Sequence, residues 1–69
     1  MANMQMAHMN RYLVQITEYH GEFIDAEGYH EIGGQVCFYI IVGKSGNEPI
    51  TKYIAKYNLE KIYGWREMK

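Results

Sequence analysis

The feature that most constrains this chain is a run of seven consecutive apolar residues, VCFYIIV at 36–42, inside the segment GQVCFYIIVGK at 34–44. The run is short for a helix, is bounded by glycines, and is rich in β-branched and aromatic residues, which favour strands. Because it has no polar side, a strand formed by it must be covered on both faces. The sequence therefore predicts a central strand over 34–44.

Two further segments predict strands on either side of this run. RYLVQITEY at 11–19 alternates, with Tyr12, Val14 and Ile16 on one face of the strand. LEKIYGWREMK at 59–69 alternates again and predicts a final strand, whose phase the sequence leaves open.

The segment ITKYIAKYN, which follows a Ser-Gly-Asn turn, has the pattern of a helix. Pro49 suits the first helical position, where its missing N–H costs nothing. Ile50, Tyr53, Ile54 and Tyr57 lie at i, i+3, i+4 and i+7, which is typical of an amphipathic helix. We therefore expect a ββαβ order: an α+β fold with a three-stranded, mainly antiparallel sheet and one helix packed on one face.

A chain of 69 residues makes one small domain with a thin margin of stability. We expect residues 1–10, which hold four methionines, to be a flexible leader, and residues 11–69 to be a single α+β domain. Cys37 is the only cysteine, so no internal disulfide can form, which fits a reducing compartment. Inside its apolar run Cys37 is expected to be a small buried hydrophobe rather than a nucleophile.

One helix cannot cover both faces of the predicted sheet. The face left bare would carry Tyr39, Tyr63 and Trp65 among other apolar residues. Soluble monomers seldom leave such a patch uncovered. These aromatic residues are therefore predicted to bind a partner, and the chain is expected to form a homodimer or higher oligomer.

Acidic residues are concentrated in EYHGEFIDAEGYHEIGG at 18–34, predicted as an exposed, ragged hairpin loop. Residues 12–43 contain five acids and no lysine or arginine, whereas residues 44–69 contain six bases and three acids. This segregation predicts oriented docking on a charged partner or on a copy of the chain itself, with the acidic segment meeting a basic surface. The predicted partner-binding acids are Glu18, Glu22, Asp25, Glu27 and Glu31.

Two other interpretations of this loop stay open. A hairpin register symmetric about residues 24 and 25 would bring His20 and His30 together as candidate metal ligands, although their spacing matches no metal signature. The loop could equally be a solvated hairpin tip. We expect no metal and no other cofactor.

Enzymatic function is not expected. The carboxylates lie together on a wet loop that would leave their pKa values ordinary, and the only serine, Ser45, has no candidate base. The net charge of −1 makes nucleic acid an unlikely partner. The alternative function is nevertheless a single-stranded nucleic-acid or nucleotide binder that stacks bases on Tyr39, Tyr63 and Trp65. No stretch approaches the roughly 20 apolar residues of a membrane span, and the chain start lacks the pattern of a secretory signal, so a cytoplasmic location is expected.

The segment YIAKYNLEKIYGWREM, following a RYLVQIT strand, resembles small phage and mobile-element proteins of ββαβ build, including phage inhibitors of host RNA polymerase. The resemblance is architectural and covers roughly residues 11–69. It implies a phage-encoded, non-enzymatic protein that occupies a site on a host protein and inhibits or modulates it. The near-neutral charge of this chain departs from the strongly acidic polymerase inhibitors.

Overall fold

The computed structural model describes residues 9–68, which form six strands and one 3-10 turn and contain no α-helix. The elements are β1 (Asn10–Gln15), β2 (Gly21–Ala26), β3 (Gly28–Ile32), β4 (Gln35–Ser45), β5 (Glu48–Asn58), the 3-10 turn Leu59–Lys61, and β6 (Gly64–Met68). They make two three-stranded antiparallel sheets, ordered β2-β1-β6 and β3-β4-β5. The predicted ββαβ, α+β fold is therefore wrong: two sheets stand where a sheet and a helix were expected.

The core lies between the two sheets. Tyr12, Val14 and Ala26 from the first sheet meet Val36 and Phe38 from the second, and each is at most 2% exposed. The partly buried residues packed around them are Ile16, Ile24, Ala55, Tyr57, Leu59, Ile62 and Trp65. One face of β4 is thus covered by the chain itself, through a second sheet.

The predicted hairpin loop between residues 20 and 33 is also wrong. β2 pairs with β1 and β3 pairs with β4, and only Glu27 separates the two strands. The backbone N–H of Glu27 donates to the carbonyl oxygen of Tyr39 at 2.9 Å, so pairing with the second sheet begins at the bend. Residues 21–32 therefore form one bent segment: β2 is an edge strand of the first sheet and β3 is an edge strand of the second. Bends of this kind occur where a strand passes from one packed sheet to the other.

Glycines at two tight turns explain the chain reversals. Gly33 and Gly34 have φ values of 56° and 79°, as a type I′ turn joining two antiparallel strands requires. Gly46 has φ of 64° and Asn47 has a negative φ, which fits a type II′ turn with glycine at its first central position. This second turn sends residues 48–58 back along β4 as β5.

A β-bulge interrupts the alternation of β5, whose apolar residues lie on both faces. Ala55 lies opposite Phe38 on the core side, whereas Tyr53 lies opposite Tyr39 on the other face. The extra residue, Ile54, shifts the alternation by one position. The i, i+3, i+4, i+7 stripe therefore does not mark one face of β5: Ile50 and Tyr57 lie on the core side, Tyr53 lies on the outer face, and Ile54 is the bulged residue. Pro49 is compatible with this strand because β5 is at the edge of its sheet.

β4 and β5 extend beyond the rest of the molecule. Pairing of β3 with β4 ends at Gly28 opposite Tyr39, while pairing of β4 with β5 continues from Ile40 opposite Lys52 to the turn. We call residues 40–52 the β-arm. It contributes to an elongated shape of 44 × 28 × 15 Å.

The other sequence predictions have mixed outcomes. The central strand over 34–44 is confirmed as β4, and Cys37 is buried as expected. The first strand ends at Gln15 rather than residue 19, and the last begins only at Gly64. The predicted flexible leader falls mostly on residues 1–8, which lie outside the described residues, and β1 already begins at Asn10.

Candidate functional site

Three of the five predicted acids, Glu22, Asp25 and Glu31, lie in β2 or β3, which are edge strands of their sheets; Glu18 lies in the turn before β2 and Glu27 at the bend between the two strands. We call the acids of residues 18–31 the acidic edge. Its members are not equivalent. Asp25 accepts hydrogen bonds from the Arg11 guanidinium, 2.8 Å from Nε to Oδ1 and 3.1 Å from Nη2 to Oδ2. The Arg11 hydrogen bonds hold the pKa of Asp25 below its ordinary value and raise that of Arg11.

Glu22 is engaged with the second sheet. The Tyr57 hydroxyl donates a 2.7 Å hydrogen bond to Glu22 Oε1, and His20 Nε2 lies 3.6 Å from Glu22 Oε2. Burial, followed by the hydrogen bond and charge of Glu22, raises the pKa of Tyr57 to about 12. Glu22 therefore contributes a hydrogen bond between the two sheets and is less available to a partner.

Glu27, immediately before β3, accepts a hydrogen bond from a backbone N–H of β4. Its Oε2 accepts a 2.8 Å hydrogen bond from the N–H of Ile41, which lies beyond Tyr39, the residue at which the pairing of β4 with β3 ends. Glu18 and Glu31 are exposed and form no salt bridge among residues 9–68. These last two acids are the ones best placed to meet a basic surface.

The predicted register that would join His20 and His30 does not occur. His20 is in the turn before β2, whereas His30 lies in β3 opposite Cys37 of β4. Residues 9–68 contain no group of three or more His, Cys, Asp or Glu side chains that could hold a metal ion.

The predicted aromatic trio is divided between different parts of the fold. Trp65 packs against the core, with its ring centroid 5.6 Å from that of Phe38 and 4.5 Å from that of Tyr29. Tyr63 is 69% exposed and, with Leu13 and Arg66, lines a shallow groove of about 240 Å³ on the first sheet. Tyr39 lies on the outer face of the second sheet.

Tyr39 belongs to a side-chain cluster that sequence reasoning did not assemble. The rings of His30 and Tyr39 are stacked at a tilt of 30° with centroids 4.8 Å apart, and His30 Nδ1 shares a 2.9 Å hydrogen bond with the Tyr53 hydroxyl. Lys56 Nζ lies 5.5 Å from the centroid of the Tyr53 ring. The outer-face patch comprises His30, Tyr39, Ile41, Tyr53 and Lys56.

Tyr53 and Lys56 were missed because they were assigned to a helix on the opposite layer from Tyr39. The Gly46–Asn47 pair, placed between two apolar segments, is the signal that could have found them, since it is typical of a two-residue hairpin turn. A regular hairpin from this turn would pair Tyr39 with Ile54, and the extra residue in β4, Val42, shifts the register by one so that Tyr53 lies opposite Tyr39.

No protein-family model, no curated protein and no solved structure matches this chain. Within residues 9–68, no helix has the length and apolarity needed to cross a membrane. Conclusions on function therefore come from the surface of the molecule alone.

Proposed function

We propose that this chain is a non-enzymatic protein-interaction module that binds another protein through the outer-face patch and the neighbouring acidic edge. The observation that supports it most is the ordered aromatic cluster: Tyr53, 37% exposed, is fixed to His30 by a hydrogen bond and flanked by Ile41, 40% exposed. Rigid tyrosines lose little conformational entropy on binding and are enriched among the residues that dominate interface energy.

The charge of the neighbouring edge indicates the kind of partner. Glu18 and Glu31 are exposed on a stretch that contains no lysine or arginine from residue 18 to 31. A partner with basic groups around an apolar site would be steered to this edge and anchored by the patch. The lone cysteine supports a reducing, cytoplasmic setting, and a phage origin and a host target continue to rest on the architectural resemblance.

The experiment compares two double variants as baits. Ile41→Ser with Tyr53→Ser removes the two most exposed apolar members of the patch, and Phe23→Ser with Tyr63→Ser removes two aromatic residues of greater exposure at the first sheet. A protein captured by the parent chain should be purified and its affinity measured for both variants. We expect at least about tenfold weaker binding for the patch variant and little change for the control. Equal losses would reject the patch as the binding site.

Steering by the acidic edge has its own test. Glu18→Lys with Glu31→Lys should slow association with the captured protein and reduce its dependence on salt. Glu60→Lys with Glu67→Lys makes the same change in charge outside the acidic edge and should leave the association rate closer to that of the parent. An unchanged rate for the first variant would reject the steering role.

One observation favours the nucleic-acid alternative: Lys56 lies on the same face as Tyr39 and Tyr53, where it could meet a phosphate beside stacked bases. The Glu27 carboxylate at Ile41 and the rest of the acidic edge oppose it, because they place negative charge beside the patch. Titration with a labelled single-stranded oligonucleotide decides between the two. Binding lost in the patch variant and retained in the control would replace the protein partner with nucleic acid.

A further inference from the structure

The β-arm continues the core side of the second sheet beyond the cover that the first sheet provides. Side chains alternate along β4, so Ile40 lies on the same side as the buried Phe38. Its partner Lys52 lies on that side too, and so do Ile50 and Glu48, at successive intervals of two residues. Ile50 is 44% exposed. Residues 41–52 are all exposed and Ile40 at the base of the arm is partly buried, so the arm presents an exposed strip in which Ile50 is flanked by Glu48 and Lys52.

The charges on this strip form a pattern that is complementary to itself. Along β5 the core-side residues read Glu48, Ile50, Lys52, with the isoleucine at the centre. When two such strands run antiparallel about a two-fold axis at Ile50, each Glu48 meets the Lys52 of the other strand. Two identical ion pairs then flank an Ile50–Ile50 contact, which is the residue-to-residue reciprocity of a two-fold interface.

Pro49 distinguishes two ways of bringing the arms together. Ser45 and Glu48 close a two-residue turn and form a hydrogen-bonded pair, so at the next pair, Lys44 opposite Pro49, the backbone groups of β5 point away from β4. Proline has no N–H to offer at this free edge. If two copies paired their β5 strands edge to edge to extend the sheet, the N–H donor needed at Pro49, next to the central Ile50, would be missing. Packing of the two strips face to face needs no hydrogen bond from Pro49.

We propose that the core-side strip of the β-arm binds the same strip of a second copy of this chain, face to face and antiparallel, with Glu48 of each copy against Lys52 of the other. The self-complementary pattern favours a second copy over an unrelated partner. The small core of the domain supports it, since domains of this size are commonly reinforced by association. The strip lies on the face of the arm opposite the outer-face patch, so this proposal does not depend on the function proposed above.

Sedimentation equilibrium of the full chain over a wide concentration range tests the proposal. The parent chain should form a dimer and no larger species, because a two-fold contact closes on itself. Glu48→Lys alone and Lys52→Glu alone should each weaken the dimer by at least about tenfold, since each puts two like-charge pairs in the interface. The double variant, Glu48→Lys with Lys52→Glu, should restore it.

A mixture of the two single variants gives the sharpest result. One copy then carries two lysines and the other two glutamates at positions 48 and 52, so a mixed dimer gains both ion pairs although each variant alone is monomeric at the same concentration. Recovery in the mixture can come only from contact between copies. A parent chain that stays monomeric, single variants that dimerise normally, or a mixture that stays monomeric would each overturn the proposal.

The apolar centre is tested by a matched pair of substitutions. Ile50→Lys should abolish the dimer, whereas Ile32→Lys, at an isoleucine that is 52% exposed at the end of β3, should leave it intact. Both sites are on the surface, so both variants should keep the parent circular dichroism spectrum. An equal effect of the two substitutions would count against the strip as the interface.

Discussion

The body of the molecule and the β-arm each contain part of the apolar run at 36–42, but the two parts have very different environments. In the body, Tyr12 and Phe38 are almost completely buried, with ring centroids 4.9 Å apart. In the arm, every residue from 41 to 52 is exposed, including isoleucines and a valine. The same strand, β4, passes through both environments. Its burial is decided by where the first sheet, which covers it, ends, and the part of β4 beyond that cover is exposed.

The largest effect should separate the two regions directly. Phe38→Ala removes a fully buried ring and should lower the free energy of unfolding by about 3–5 kcal/mol. Ile50→Ala, in the exposed arm, should lower it by about 0.5 kcal/mol or less. Denaturant unfolding at a concentration where the chain is monomeric measures both. Similar values for the two variants would contradict the division into body and arm.

Turn glycines should show the same division with a smaller effect. Gly34 and Gly46 both have left-handed φ values, where alanine is strained by about 1–2 kcal/mol. Gly34→Ala acts on a turn of the body and should reduce global stability by that amount. Gly46→Ala acts on the arm tip, so its main result should be faster hydrogen exchange of arm amides. Gly43→Ala is the control, since its φ is not left-handed and no atom lies within 4 Å of the added carbon. Equal global losses for Gly34 and Gly46 would show that the arm unfolds together with the body.

A pH-dependent contact between the sheets gives a third prediction. The pKa of Tyr57 is raised to about 12 in the folded chain, from an ordinary value near 10. Because the pKa is higher in the folded chain, the contribution of neutral Tyr57 to folding stability is complete below about pH 10 and is lost as the pH rises through about 12. Glu22→Gln should lower the Tyr57 pKa only in part, because burial is its main cause. An NMR titration of the Tyr57 ring checks this, and an unchanged pKa would mean that the Glu22 contact is absent in solution.

The smallest effect concerns the exposed Arg11–Asp25 pair. Hydrogen bonds from Arg11 depress the folded pKa of Asp25, so any stabilisation is present above its unfolded pKa and disappears as the pH falls through the lower folded value. Arg11→Gln should return the Asp25 pKa toward its ordinary value, with little change in stability because both groups are exposed. NMR titration of the Asp25 carboxyl carbon measures the pKa, and a value insensitive to the substitution would rule out the pair.

The sequence predicted the strands correctly where polar and apolar residues alternate without interruption or where the run is wholly apolar. The apolar run predicted β4 correctly because seven apolar residues bounded by glycines leave few other interpretations. The alternation of Tyr12 and Val14 likewise placed both on the core side. In β5 apolar residues lie on both faces and the bulge at Ile54 breaks the alternation, so the spacing of Ile50, Tyr53, Ile54 and Tyr57 matched that of a helix. This coincidence of spacing led to the wrong fold class.

The candidate site was less predictable for a related reason. Which of the predicted acids are engaged depends on Arg11 and Tyr57, which are 14 and 35 residues away from their partners. Likewise Tyr39 lies on the outer face of the second sheet, and its neighbours there, His30 and Tyr53, come from other strands. Pairings between strands, which set these contacts, cannot be obtained from local periodicity.

The bend at Glu27 implies that the chain can be divided and reassembled. A cut there would leave a fragment ending with the β1–β2 hairpin and a second fragment carrying β3 to β6, yet β6 pairs with β1 across the division. Each fragment holds part of the core of the other, with Val14 and Ala26 on one and Val36 and Phe38 on the other. We expect the two peptides to be unfolded separately and to recover the β-sheet signal when mixed, which would make this small domain a candidate split reporter.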